Sequence, residues 1–196
     1  MSKTAKFVLT LAMLGLCSAP ALAHPGHGIP DTLAHGFVHP LGGIDHVLAM
    51  ISVGVLAFAM GGRAVWALPI AFIAMMTAGG ALGASAVNMP ALEQSIATSV
   101  VVLGIMVVFA ARVPLSVGVA LAGLFAVFHG VAHGLAGTID GQLSLQYFAG
   151  FLLATGVLLG AGTALGGAFS ISTKCHGFQR GAGLAVGLTG LMILVS

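Results

Sequence analysis

The sequence predicts an all-α, polytopic membrane protein with six transmembrane helices behind a cleaved signal peptide and its N-terminus outside. Composition is the first reason: 59% of the 196 residues are hydrophobic and 5% charged, against roughly one quarter charged in soluble domains. The second is a series of apolar runs, each close to the roughly 20 residues that cross a bilayer as a helix. The third is the opening of the chain, which reads as an export leader. A mean hydropathy of +1.14 excludes a water-soluble fold, and the length leaves no room for a separate soluble domain.

Residues 1–23 form the leader. Lys3 and Lys6 precede the apolar run Phe7 to Leu16, and Ala21-Leu22-Ala23 supplies the small residues of a cleavage site. An uncleaved first helix is the alternative, but the run is short for a span and Pro20 and Pro25 bracket its end. Residues 24–35 then become a periplasmic N-terminal segment beginning His24-Pro25-Gly26-His27, and 36–196 the six-helix transport domain. Cys17 falls in the leader and Cys175 stands alone, so the mature chain has no intramolecular disulfide. Without the leader lysines the chain is near neutral and lacks the basic footprint of a nucleic-acid binder.

The spans are expected at 36–60, 64–87, 94–111, 115–136, 145–169 and 179–196. Loops after the first, third and fifth carry Arg63, Arg112, and Lys174 with Arg180, which makes them cytoplasmic. The second and fourth carry Glu93 and Asp140 without Lys or Arg, so they lie outside with both chain ends, the orientation the leader also demands. The 30 glycines read as close helix packing where lipid supplies no hydrophobic drive between helices.

Chemistry concentrates in two spans. The first opens His35-Gly-Phe-Val-His39-Pro-Leu-Gly-Gly-Ile-Asp45-His46. At about 100° per residue, His35, His39 and His46 fall within a stripe about 40° wide on one helix face. Asp45 points elsewhere on an ideal helix, and Pro40 with Gly42-Gly43 marks the place where a kink would turn it inward. An aspartate within a span costs roughly 2.5–3.5 kcal/mol to insert, so it faces the bundle interior and marks a pathway. The fourth span ends Phe128-His129-Gly-Val-Ala-His133-Gly134, with Asp140 seven residues beyond His133 and on the same stripe if the helix continues.

A single buried histidine is more often a satisfied structural group than a ligand. Two i, i+4 pairs and an acid within spans favour metal coordination instead. Imidazole with carboxylate suits nickel, cobalt, zinc or copper(II), whereas magnesium or calcium would call for oxygen ligands throughout.

HPLGGIDH at 39–46 and FHGVAHG at 128–134 resemble the two signature motifs of the HupE/UreJ family of nickel and cobalt secondary permeases, found in bacterial inner membranes and associated with hydrogenase and urease. The resemblance covers leader, span number and motif positions, with the identity resting on the two short motifs. It implies transport roles for His39, Asp45, His46, His129 and His133. The family's second motif commonly reaches a glutamate two residues after its last glycine, where this chain has Ala136. Either Asp140 supplies that carboxylate or the site is less acidic.

Other candidates carry less weight. His24 and His27 with the free amine offer a capture site, although Pro25 removes the amide nitrogen that a backbone chelate needs. Cys175-His176 in a cytoplasmic loop offers an exit ligand. Met50, Met75 and Met76 would suit copper(I), but methionine in apolar spans usually packs. His35-Gly-x-x-His39-x-Leu-x-Gly recurs as His129-Gly-x-x-His133-x-Leu-x-Gly. The first copy opens a span and the second closes one, so this is reused ligand chemistry, not an inverted repeat.

The resulting expectation is secondary uptake of Ni2+, or Co2+, with the ion as cargo, no permanently bound cofactor and no enzymatic activity. The lipid bilayer and cytoplasmic nickel-handling proteins are its partners. Protons compete with metal for imidazole, so uptake should fall as external pH drops through about 6.5. Competing classes are an intramembrane metal-dependent hydrolase, a permease of the same architecture for copper or another metal, and a sensor or storage protein without flux. The chain lacks HExxH, GxSxG and ATP-binding motifs.

Overall fold

A computed structural model describes residues 32–140, 142–170 and 175–196. The leader with its cleavage site, His24, His27 and Lys174 lie outside the described residues, as do the side chains of Cys175 and His176. Helix α1 spans Leu33–Val38 and runs into a 3-10 turn, His39–Gly42, and α2 follows at Ile44–Met60. Then come α3 (Ala64–Ala84), α4 (Leu92–Val108), a 3-10 turn at Ala110–Arg112, and α5 (Leu115–Ala136). A two-stranded hairpin, β1 (Thr138–Ile139) with β2 (Gln142–Leu143), leads to α6 (Leu145–Ser170) and α7 (Cys175–Val195).

The first expected span is two helices. Residues Leu33–Gly42 and Ile44–Met60 meet at 90°. Pro40 sits in the first positions of the 3-10 turn, and Gly43 takes an extended conformation with φ −102° and ψ 114° that cannot continue a helix. The expected kink therefore falls at Gly42-Gly43, but it is far sharper than a bend within one helix. His35 and His39 stand on one arm and His46 on the other, so the single straight stripe is corrected to two segments facing a common corner.

Helices α3, α5 and Leu145–Ala168 of α6 are long and apolar enough to cross a membrane, and the bent pair adds a fourth if it counts as one span. Apolar helices Leu92–Val108 and Gln179–Val195 are shorter. The outer surface is apolar, with Trp66 73% and Leu188 62% exposed, as expected where lipid is the solvent. Met50, Leu56, Phe72, Met76, Leu103 and Phe151 fill the centre without exposure. Met50 and Met76 thus pack in the core, with the Met76 sulfur 3.5 Å from the Thr155 hydroxyl, while Met75 faces outward.

Helices associate in pairs: α3 with α5, α4 with α7, and α2 with α6, while α1 lies across the start of α6. Glycine makes the closest approach possible. A Cβ on Gly79 or Gly83 of α3 would strike the backbone of Val127 or Val131 in α5, and one on Gly130 or Gly134 would strike that of Met76 or Gly80 in return. Gly36 and Gly150 dock α1 onto α6 in the same reciprocal way, through the backbones of Tyr147 and Leu33. Turns at the other end use left-handed backbone, with Gly61 at φ 67° and Gly62 at φ 53° between α2 and α3. Arg63, Arg112 and Arg180 line two adjoining hollows around the Ala110–Arg112 turn, at the end of the bundle opposite the start of α2.

Candidate metal centre

The corner at Gly43, the C-terminal half of α5 and the first turns of α6 converge. Thr32 caps α1 by accepting from the His35 backbone N–H at 3.1 Å, which starts the helix so that His35 and His39 share a face. α2 begins at the bend with Asp45 and His46 in its first turn. There the carboxylate is favoured by the unpaired N–H groups of a helix N-terminus. On α5, His129 and His133 are separated by one turn and both are buried.

The imidazoles form a continuous series of edge-to-face contacts. His35 lies 6.1 Å from His39, His39 5.2 Å from His133, His133 4.6 Å from His46, and His46 4.7 Å from His129, between ring centroids. His35, His39 and His46 are part-buried, whereas His133 and His129 on α5 are enclosed. His133 touches both arms of the bent segment and is itself stacked on Phe151 at 3.9 Å. Tyr147 closes the outer side, its ring 5.8 Å from His35 and 5.6 Å from His39.

Two polar partners orient the deeper rings. Asp45 Oδ1 accepts from the backbone N–H of His46 at 2.8 Å and from its ring Nδ1, also at 2.8 Å. A carboxylate can only accept, so the shared proton belongs to Nδ1 and the lone pair to Nε2. Ser99 of α4 lies 2.9 Å from His129 Nε2 and donates to the Ile96 carbonyl at 2.6 Å.

Among the described residues, every buried side-chain polar atom without a hydrogen-bond partner belongs to this cluster: His46 Nε2, His129 Nδ1, both ring nitrogens of His133, and the Tyr147 hydroxyl. Each such atom costs about 1–3 kcal/mol when left unpaired, and buried polar groups in proteins are nearly always satisfied. Five in one place therefore describe a set of donor atoms without a protein partner. Nitrogen bound about 2 Å from a shared ion keeps imidazole centroids about 4.5–5.5 Å apart, which is the spacing seen from His39 through His133 and His46 to His129. The edges of the rings are nevertheless turned past one another. Among the described residues no three His, Cys, Asp or Glu side chains form a ready-made metal-holding group, so common ligation requires side-chain rotation.

The sequence-derived candidates separate accordingly. His39, Asp45, His46, His129 and His133 come together, with His35 at the outer edge. Asp140 does not extend the His129/His133 stripe, because α5 stops at Ala136 and Asp140 sits exposed on the hairpin turn with φ 50°. Glu93 is exposed in the first turn of α4. Sequence reasoning passed over Ser99, Phe151 and Tyr147. The signals were faint: a serine inside an apolar run, and the one tyrosine of the chain.

A family model described as HupE / UreJ protein matches residues 11–193. Protein HupE of Rhizobium leguminosarum bv. viciae is 41% identical over 195 residues, covering 98% of this chain and 99% of that protein. No solved structure matches.

Proposed function

We infer, from the premise that this chain belongs to the HupE/UreJ family, that it is a secondary permease carrying a divalent transition metal, nickel or cobalt, across the bacterial inner membrane. The observation that carries the reading is the cluster of unpaired buried donors on His46, His129, His133 and Tyr147. Their dehydration is repaid when a cation visits. A permanent structural metal would favour ligands already gathered at one point, and the edge-on rings suit transient binding better.

In this reading the leader is removed after Ala23 and the mature chain crosses six times, α4 and α7 being the thin spans. Arg63, Arg112 and Arg180 then mark the cytoplasmic end, and the histidine corner opens to the periplasm. His24 and His27 capture ions before entry. An ion exchanges its water for His35 and His39, passes through His133, and reaches His46 and His129. Each transfer spans neighbouring rings, so one ligand is gained before another is lost. Asp45 supplies the negative charge that the five imidazoles lack, held at a break between helices, as in transporters whose discontinuous helices bind substrate. The sequence carries no ATP-binding motif, and in this reading the metal gradient, protons, or capture by cytoplasmic nickel-handling proteins supplies the energy.

Purified protein in liposomes enclosing a nickel-sensitive dye tests the proposal. External Ni2+ should fill vesicles containing the natural sequence and fail to fill those with His129→Ala. Binding without entry would instead indicate a sensor, a storage protein or an intramembrane hydrolase. Entry that is unchanged by the substitution would remove His129 from the path.

A further inference from the structure

The inner histidine is held by a partner outside both histidine motifs. Ser99 sits in the middle of α4, fully buried, and its hydroxyl contacts two groups, the Ile96 carbonyl oxygen at 2.6 Å and His129 Nε2 at 2.9 Å. A serine has one proton to give. Two oxygens 2.6 Å apart repel unless a proton lies between them, and the carbonyl has none, so the serine proton points at Ile96. The hydrogen bond to His129 must then be made by a proton on Nε2 with the serine oxygen accepting. Neutral imidazole carries one proton, which leaves Nδ1 bare, and Nδ1 is the buried atom of this ring that has no partner.

We propose that Ser99 is a positioning residue that holds His129 as the Nε2–H tautomer and aims its free Nδ1 at the transported ion. The pattern mirrors Asp45 and His46 with the nitrogens exchanged, since Asp45 takes the Nδ1 proton of His46 and frees its Nε2. The two supports differ in charge. A carboxylate behind an imidazole raises its basicity, while a neutral hydroxyl fixes orientation with little added electron donation. His129, the innermost ring, is thereby the more weakly donating of the two and the one from which an ion departs more readily. The ion-binding part of this inference rests on the permease reading above, but the tautomer does not.

The test uses full-length protein in bilayers, 15N-labelled at histidine, with the His129 signals identified by their loss in His129→Ala. Imidazole 15N shifts distinguish a protonated ring nitrogen from a bare one. In the metal-free natural sequence at neutral pH, His129 should show bare Nδ1 and protonated Nε2. In Ser99→Ala both tautomers should appear, and Ni2+ affinity by calorimetry should fall about tenfold, the lower end for loss of a ligand-orienting group. Ser99→Thr keeps the hydroxyl and should restore both. A proton on Nδ1 in the natural sequence overturns the proposal without any Ser99 variant. So does Ser99→Ala with unaltered tautomer and affinity, or Ser99→Thr as impaired as Ser99→Ala, which would assign Ser99 to packing. Unchanged Ni2+ binding in His129→Ala would instead take His129 off the ion path, and with it the ion-directing role of Ser99, and leave the tautomer result standing.

Discussion

Asp45 holds His46 twice, accepting from its backbone N–H and its ring Nδ1 through the same oxygen at 2.8 Å. Carboxylates behind metal-binding histidines commonly act this way, and their loss costs about 10–100-fold in metal affinity. Asp45→Asn keeps the shape but can present an amide N–H to the ring, which would move the proton to Nε2 and block the free donor. Ni2+ affinity should drop by at least about tenfold, measured by calorimetry in detergent, with thermal unfolding little changed. Affinity equal to that of the natural protein would make Asp45 a helix-start residue only.

The bend itself can be probed with a pair of adjacent glycines. A Cβ at Gly43 would lie 2.8 Å from Asp45 Oδ1 and 2.9 Å from His46 Nδ1, while one at Gly42 would meet nothing within 4 Å. Gly43→Ala must therefore displace the Asp45–His46 pair, and should lower nickel uptake about tenfold with the protein still folded. Gly42→Ala should stay within about twofold. Equal effects would mean that backbone freedom, not room beside the carboxylate, is what this corner needs.

Much of this was readable in the sequence, for identifiable reasons. Pro40 and Gly42-Gly43 announce a break because a missing N–H and missing side chains act locally. The histidine and aspartate positions stand out because hydrocarbon tolerates so few of them. The placement of His35, His39 and His46 on one face failed, since an ideal helical wheel assumes continuity through a 90° corner. The condition that would bring Asp140 onto the stripe, a helix continuing past Ala136, is not met, because a helix end depends on its surroundings. Gly137 packs against the Tyr147 ring, and Thr138 donates back to the Gly134 carbonyl at 2.7 Å. Ser99 was invisible because its meaning lies in the packing of α4 beside α5, and nothing local distinguishes it from Ser95 or Thr98, which donate to their own helix carbonyls.

Among the described residues His133 is the one ring that touches both His39 and His46, at 5.2 Å and 4.6 Å. If an ion passes through it, substitutions at His133 and at either neighbour interrupt the same step and cannot add. Double-mutant cycles on uptake rate, His39→Ala with His133→Ala and His46→Ala with His133→Ala, should give coupling of about 0.5–3 kcal/mol, as for residues in direct contact. Additive losses in both cycles would indicate independent sites.

Protons and metal compete for the same imidazole lone pairs, and free imidazole takes up a proton near pH 6.5. A protonated ring offers no ligand and repels the cation, so acidification opposes uptake and alkalinisation restores it. Initial Ni2+ uptake into liposomes, measured with the interior buffered at constant pH, should fall steadily as the outside goes from pH 7.5 to 5. A flat profile over that interval would be incompatible with histidine ligation on the outer side.

The carboxylate question turns on Ala136 and Asp140. Asp140 is exposed on its hairpin turn, beyond the end of α5, so Asp140→Asn should leave uptake within about twofold. Ala136 lies in the last turn of α5, three residues after His133, and residues so spaced are neighbours on a helix surface. Ala136→Glu places a carboxylate beside His133 at a small cost, about 0.3–1 kcal/mol, for a negative charge near a helix C-terminus. The added charge attracts a divalent ion more than that cost opposes folding, so Ni2+ affinity should rise several-fold. Slower release would accompany it and lower the maximal uptake rate. A large loss of uptake in Asp140→Asn would return Asp140 to the ion path and require the hairpin to fold inward when metal arrives.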